Sequence, residues 1–103
     1  VIIRINKTNQ WKEFMTGDSG NCYITLIGGE EYYFTSYIQG YLYRFRGSNQ
    51  YWEKGIADNT TFGETGSRPR VGFYPAFSFN QSTKNLYFGT WRLFVSKDQG
   101  ESW

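Results

Sequence analysis

The chain has 103 residues, a formal net charge of +2 and a hydrophobic share of 39%; aromatic residues (nine Tyr, nine Phe, four Trp) make up 21% of the whole. Its length sets a limit of one small domain or a piece of a larger one, and that aromatic load excludes a disordered tail. The mild charge and a pI of about 8.7 do not imply nucleic acid, and no apolar run approaches the roughly 18 residues a membrane span needs.

Twelve Gly and a single Met, with abundant Tyr and Thr, favour strands joined by tight turns. No window holds a 3.6-residue apolar period over three turns, so an all-β chain is expected. Residues 1–5 and 11–15 give the first two strands. The apolar stretch Cys22-Tyr-Ile-Thr-Leu-Ile27 gives the third. In it Cys22 reads as a buried free thiol, with a bridge to a missing part of a longer protein as the alternative. Strand 31–35 follows, then 41–46, where Tyr41, Tyr43 and Phe45 alternate with Leu42, Arg44 and Arg46 at the period of a pleated strand. After strand 51–54, residues 55–70 read as one long polar connection with Ile56 and Phe62 as its anchors, and long loops in compact β domains are often functional. Strands 72–79, 86–90 and 92–96 complete the series.

Residue types limit the chemistry. There is no His, so a Ser-His-Asp triad, a His metal site and an imidazole base are excluded within this chain. A single Cys excludes an intrachain disulfide and a cysteine zinc cluster. No cofactor or metal is expected.

Internal repetition carries more information. Arg92-Leu-Phe-Val-Ser-Lys-Asp-Gln-Gly-Glu-Ser-Trp103 aligns with Tyr41-Leu-Tyr-Arg-Phe-Arg-Gly-Ser-Asn-Gln-Tyr-Trp52. Each has a strand, a polar turn and a Trp at the same distance. Ile3-Arg-Ile-Asn-Lys-Thr-Asn-Gln-Trp11 gives a shorter copy, and Tyr33-Phe-Thr-Ser36 matches Tyr87-Phe-Gly-Thr90. Trp11 and Trp52 lie 41 residues apart, Trp52 and Trp103 lie 51 apart, and the extra length falls in the 55–70 loop. A period of roughly 40–50 residues with about four strands is that of a β-propeller blade.

Ser96-Lys-Asp-Gln-Gly-Glu-Ser-Trp103 fits S-x-D-x-G-x-x-W at every defined position. It resembles the Asp-box, or BNR repeat, of the sialidase-like β-propeller superfamily, and the look is nearest to sortilin-type (VPS10-like) and xyloglucanase-like propellers. In the second copy Gly47 and Asn49 stand at the Asp98 and Gly100 positions, and in the first Asn6 and Thr8 loosely replace the Asp and Gly. The resemblance implies architectural roles for Ser96, Asp98, Gly100 and Trp103: Asp98 and Ser96 brace turn amides, Gly100 supplies a positive φ, and Trp103 opens an outer strand and packs between layers.

The implied organisation is the end of one blade in 1–15, a complete blade in 20–54, a connecting loop in 55–71 and most of a further blade in 72–103. So few strands cannot close a ring, so the expected partners are the remaining blades of a longer chain or copies of this one. The resemblance also implies that ligands meet the end opposite the Asp-box turns, where Tyr37, Gln39, Arg68, Arg70 and Trp91 would lie. Aromatic and Arg residues together suit a glycan or a protein hot spot, although Tyr37 and Trp91 can equally pack between blades. The leading expectation is a non-catalytic propeller module binding a protein or glycan. One alternative is a segment of a sialidase-like or xyloglucanase-like glycoside hydrolase, whose paired carboxylates would have to come from other blades. Another is a structural repeat in a self-assembling surface layer or filament.

Asn6-Lys-Thr, Asn59-Thr-Thr and Asn80-Gln-Ser are glycosylation acceptor patterns, the last two in expected loops. The first residues do not read as a signal peptide. Sialidase-like propellers are often exported, so the resemblance implies an extracellular or cell-surface location.

Overall fold

A computed structural model of the chain describes residues 2–4, 9–13, 16–47, 52–58, 61–62 and 70–103. Each of the nine expected strands has a counterpart there, and the described residues contain no α-helix. The strands are β1 (Ile2–Arg4), β2 (Trp11–Glu13), β3 (Ser19–Ile27), β4 (Glu30–Tyr37), β5 (Leu42–Arg46), β6 (Trp52–Ala57), β7 (Ala76–Phe79), β8 (Leu86–Gly89) and β9 (Leu93–Ser96). They pair only with sequence neighbours and always antiparallel, as β1-β2, β3-β4-β5-β6 and β7-β8-β9. Asn6, Thr8, Asn49, Asn59, Arg68 and the side chain of Trp52 lie outside the described residues.

Several boundaries differ from expectation for identifiable reasons. β3 begins at Ser19 rather than Cys22, across a register shift between the two. There Ser36 Oγ accepts from Asn21 N at 3.0 Å, and a Cβ on Gly20 would sit 2.6 Å from that oxygen, so only glycine fits the bend. β6 runs on to Ala57, which pairs with Leu42, so Gly55–Ala57 leave the loop for the sheet. β7 begins at Ala76, not Gly72, because Pro75 has no N–H to give a ladder and restricts Tyr74 before it.

The four-stranded and three-stranded sheets lie face to face. Tyr32 and Phe34 from β4, Leu42 from β5 and Ile56 from β6 meet Phe77, Phe79, Leu86 and Phe88 from the second sheet. Phe34 stacks on Phe79 with centroids 5.5 Å apart, and Phe62, from the connection, stacks on Phe88 at 4.4 Å. Both residues marked as loop anchors, Ile56 and Phe62, are buried. Alternation also places Tyr33, Thr35 and Phe45 on the far side of the first sheet, and these too are buried.

The first strands of the two sheets run in the same direction and touch along their length. Asn21 Nδ2 and Tyr23 OH both donate to the Phe77 carbonyl, at 2.8 and 3.0 Å. Farther along, Gln81 Nε2 donates to Ile24 O, and Thr25 Oγ1 bonds Gln81 Oε1 and Lys84 Nζ. Among the described residues, β3 and β7 make the broadest backbone approach of any strand pair from different sheets.

Two sequence readings change here. Cys22 is exposed, not buried: with Ile24 and Leu26 it alternates onto the face of β3 turned away from the second sheet, while Tyr23, Thr25 and Ile27 turn inward. The match of Tyr33-Phe34 with Tyr87-Phe88 is out of phase by one residue, since Phe34 and Phe88 enter the same core from opposite sheets. The β5 and β9 match keeps its phase, with Phe45 on the face of its sheet turned away from the second and Ser96 on the corresponding face of the second sheet, which meets the first.

Phe88→Ala should lower unfolding free energy by about 3–5 kcal/mol, because Phe88 has no exposed surface and fills the centre of the layer. Leu26→Ser, at a residue 59% exposed, should cost less than about 1 kcal/mol. Urea denaturation of both variants measures the difference.

Candidate functional site

Antiparallel meanders send alternate turns to opposite ends, and this divides the molecule chemically. The turn after β9, residues 97–102, lies at the Leu86–Ser96 end of its sheet, and the Trp91 turn lies at the Gly89–Leu93 end.

At the first end, Asp98 organises the backbone. Its Oδ1 accepts from Ser102 N at 2.9 Å and from Ser96 Oγ at 2.8 Å, and its Oδ2 accepts from Ser102 Oγ. Ser96 Oγ in turn accepts from Gly100 N at 2.8 Å. Donation from Ser102, side chain and then backbone, and from Ser96 lowers the Asp98 pKa from 3.8 to about 2. Gly100 has φ +90°, and a Cβ there would stand 2.6 Å from Ile56 Cδ1, so glycine serves both the turn and its docking on β6. Trp103 Nε1 donates to Ile56 O at 3.2 Å while its ring meets Phe62 edge-on at 5.4 Å. Arg44, buried on β5, donates to Gln99 O at 2.8 Å and pairs with Glu101 Oε1 at 2.7 Å. These contacts of the turn are internal support, and Asp98 accepts from an amide and hydroxyls of its own turn.

At the opposite end lie four of the five residues singled out for ligand contact. Tyr37 ends β4, and Gln39 sits on the β4–β5 connection with a left-handed φ of 59°. Gln39 N donates to Phe73 O at 3.0 Å, and Trp91 N donates to Arg70 O at 3.2 Å. These two bonds gather the β4–β5 connection, the 70–74 segment and the β8–β9 turn. Tyr37 meets Tyr43 edge-on at 6.4 Å, and burial, with Tyr41 and Tyr37 nearby, raises the Tyr43 pKa.

Trp91 is 49% exposed and lies against two arginines. The guanidinium carbons of Arg70 and Arg92 lie 3.8 and 4.0 Å from a ring centroid of its indole. Arg92 forms no ion pair among the described residues. Sequence reasoning missed Arg92, Phe73 and Tyr74 as members of this cluster because it assigned all three to strands. They stand instead on the turn and on the lead-in to β7, with Phe73 and Tyr74 exposed and edge-to-face at 5.0 Å. Pro75 was the available signal, since a proline marks where a strand is interrupted.

Stability contributed by Asp98 is present above its ordinary pKa and is lost as pH falls from about 4 to about 2, because its folded pKa is the lower one. Asp98→Ala should lower the melting temperature at neutral pH, and melting curves between pH 4 and pH 2 should then fall less steeply than those of the unaltered protein.

Comparison with protein-family models, with curated proteins and with solved structures finds no match to this chain.

Proposed function

We propose that this chain is part of a β-propeller and serves as a non-catalytic module that binds a protein or glycan at the end carrying Gln39, Arg70 and Trp91. The observation that carries the reading is the division of labour between the two ends. The Ser96–Trp103 turn is consumed by internal bonds, while the opposite end gathers exposed aromatic and Arg side chains on converging loops. Recognition residues commonly sit on loops held by a rigid scaffold. The propeller part is supported by meander sheets packed face to face with their first strands side by side and co-directional. An exported or cell-surface setting rests on the Asp-box resemblance alone. Among the described residues no helix is long and apolar enough to cross a membrane.

Binding in a glycan array and a panel of extracellular proteins tests the reading. Trp91→Ala should weaken a bound ligand by more than about 1 kcal/mol, as expected of an anchor, whereas Asp98→Ala should leave the affinity of the folded fraction unchanged. Loss of binding on Asp98→Ala at unchanged stability would move the site to the other end.

A second reading, a repeat unit that assembles through its outer faces, is favoured by two exposed apolar surfaces. Ile24, 53% exposed, and Leu26 mark one, and Leu93, 75% exposed, with Val95 marks the other. Apolar sheet faces left open are association-prone. If self-assembly is the role, native mass spectrometry should show concentration-dependent oligomers that Leu93→Glu abolishes; a monomer at every concentration rules it out.

A further inference from the structure

We infer that two copies of this chain pair face to face through the outer side of β7–β9, about a two-fold axis that runs along β8. The inference rests on the self-assembly reading and names its face and its symmetry. The outer side carries Ala76 and Ser78 from β7, Tyr87 and Gly89 from β8, and Leu93 and Val95 from β9. Phe77, Phe79, Leu86 and Phe88 alternate with them and fill the core on the other side. Leu93 is 75% exposed. Beside it lies an open groove of about 200 Å³ whose walls include Ala76, Ser78, Tyr87 and Gly89. No residue of the three strands is charged, so two copies of the face meet without like-charge repulsion or a buried unpaired charge.

The register makes this face complementary to itself. Ala76, Gly89 and Leu93 form one row across the three strands, and Ser78, Tyr87 and Val95 form the next. Small side chains therefore stand along β7 and large ones along β9. Sheets that pack face to face lie about 10 Å apart, so where one side is small the other must be large. A half-turn about β8 lays the β9 of each copy over the β7 of the other, with the rows kept level. Leu93 then enters the groove at the partner's Ala76, and Val95 covers the partner's Ser78. A half-turn about an axis across the strands would instead set Leu93 on the partner's Val95 and Ala76 on the partner's Ser78, large on large and small on small. Head-to-tail stacking needs the far side of the first sheet, where Tyr33, Thr35 and Phe45 are already buried. A closed two-fold pair needs only one face, used twice.

Sedimentation velocity over a roughly thousandfold range of protein concentration tests the pairing. The inference expects a monomer–dimer equilibrium with no larger species. Leu93→Glu and Ala76→Lys, both at exposed positions and with the fold checked by circular dichroism, should each weaken the dimer by roughly tenfold or more. Mixing the two variants should then restore a dimer, because one contact joins the new carboxylate to the new ammonium and the other keeps its native pair. A monomer throughout the range overturns the inference and the self-assembly reading together, and leaves the face to a different chain or segment. Oligomers larger than a dimer, or a dimer untouched by Leu93→Glu but broken by Leu26→Glu, overturn the inference and leave self-assembly standing. Variants that are monomeric alone and remain so when mixed overturn the axis along β8, and with it the inference.

Discussion

A guanidinium inside an aromatic layer must be neutralised and hydrogen-bonded where it lies, since an uncompensated buried charge costs several kcal/mol. Arg44 creates that demand between the two sheets, and the turn after β9 answers it with the Gln99 carbonyl and the Glu101 carboxylate. The turn can do so only while it holds one shape. Asp98 and Ser96 fix that shape from within, and Gly100 lets it lie against Ile56. The cation belongs to one sheet and its acceptors to the other, so neither sheet is complete alone. Trp103, bonded to Ile56 and packed on Phe62, closes the same joint from its outer side.

Strand number and order were legible because they depend on local alternation and turn residues. The bonding of the Asp98 carboxylate is equally local, and its donors, Ser96 and Ser102, lie within a few residues of it. What the sequence could not show were contacts between distant positions. Arg44 finds its partners 55 and 57 residues away, and a period of two says which residues share its face but not what covers that face. Cys22 sits in an apolar run that suggests burial, yet the pleat turns it outward with Ile24 and Leu26. The same limit explains the incomplete site. Trp91 and Arg70 could be named as exposed loop residues, but the second cation beside the indole is Arg92, which a strand assignment had removed from consideration.

The two ends also differ in the kind of interaction they use. At the Asp98 end, acceptors and donors are matched within the chain, and the carboxylate is held well below its ordinary pKa. At the Trp91 end, backbone groups bond within the turns and between neighbouring segments, and side chains are the chemistry presented to solvent. A scaffold that satisfies its backbone locally can change those side chains with little effect on the rest of the fold.

The seam between β3 and β7 bears on a further property, the spacing of the layers. Along that seam side chains reach the opposite backbone directly, as Asn21 and Tyr23 do at Phe77. Farther out, rings fill the space between the sheets, with Phe62 packed on both Phe88 and Trp103. The spacing of the layers is thus set at the seam by side chains bonded to backbone and beyond it by packed rings, which resist compression as crystalline solids do. The separation of any further sheet stacked in this way would be written in the volumes of a few aromatic residues rather than in the backbone.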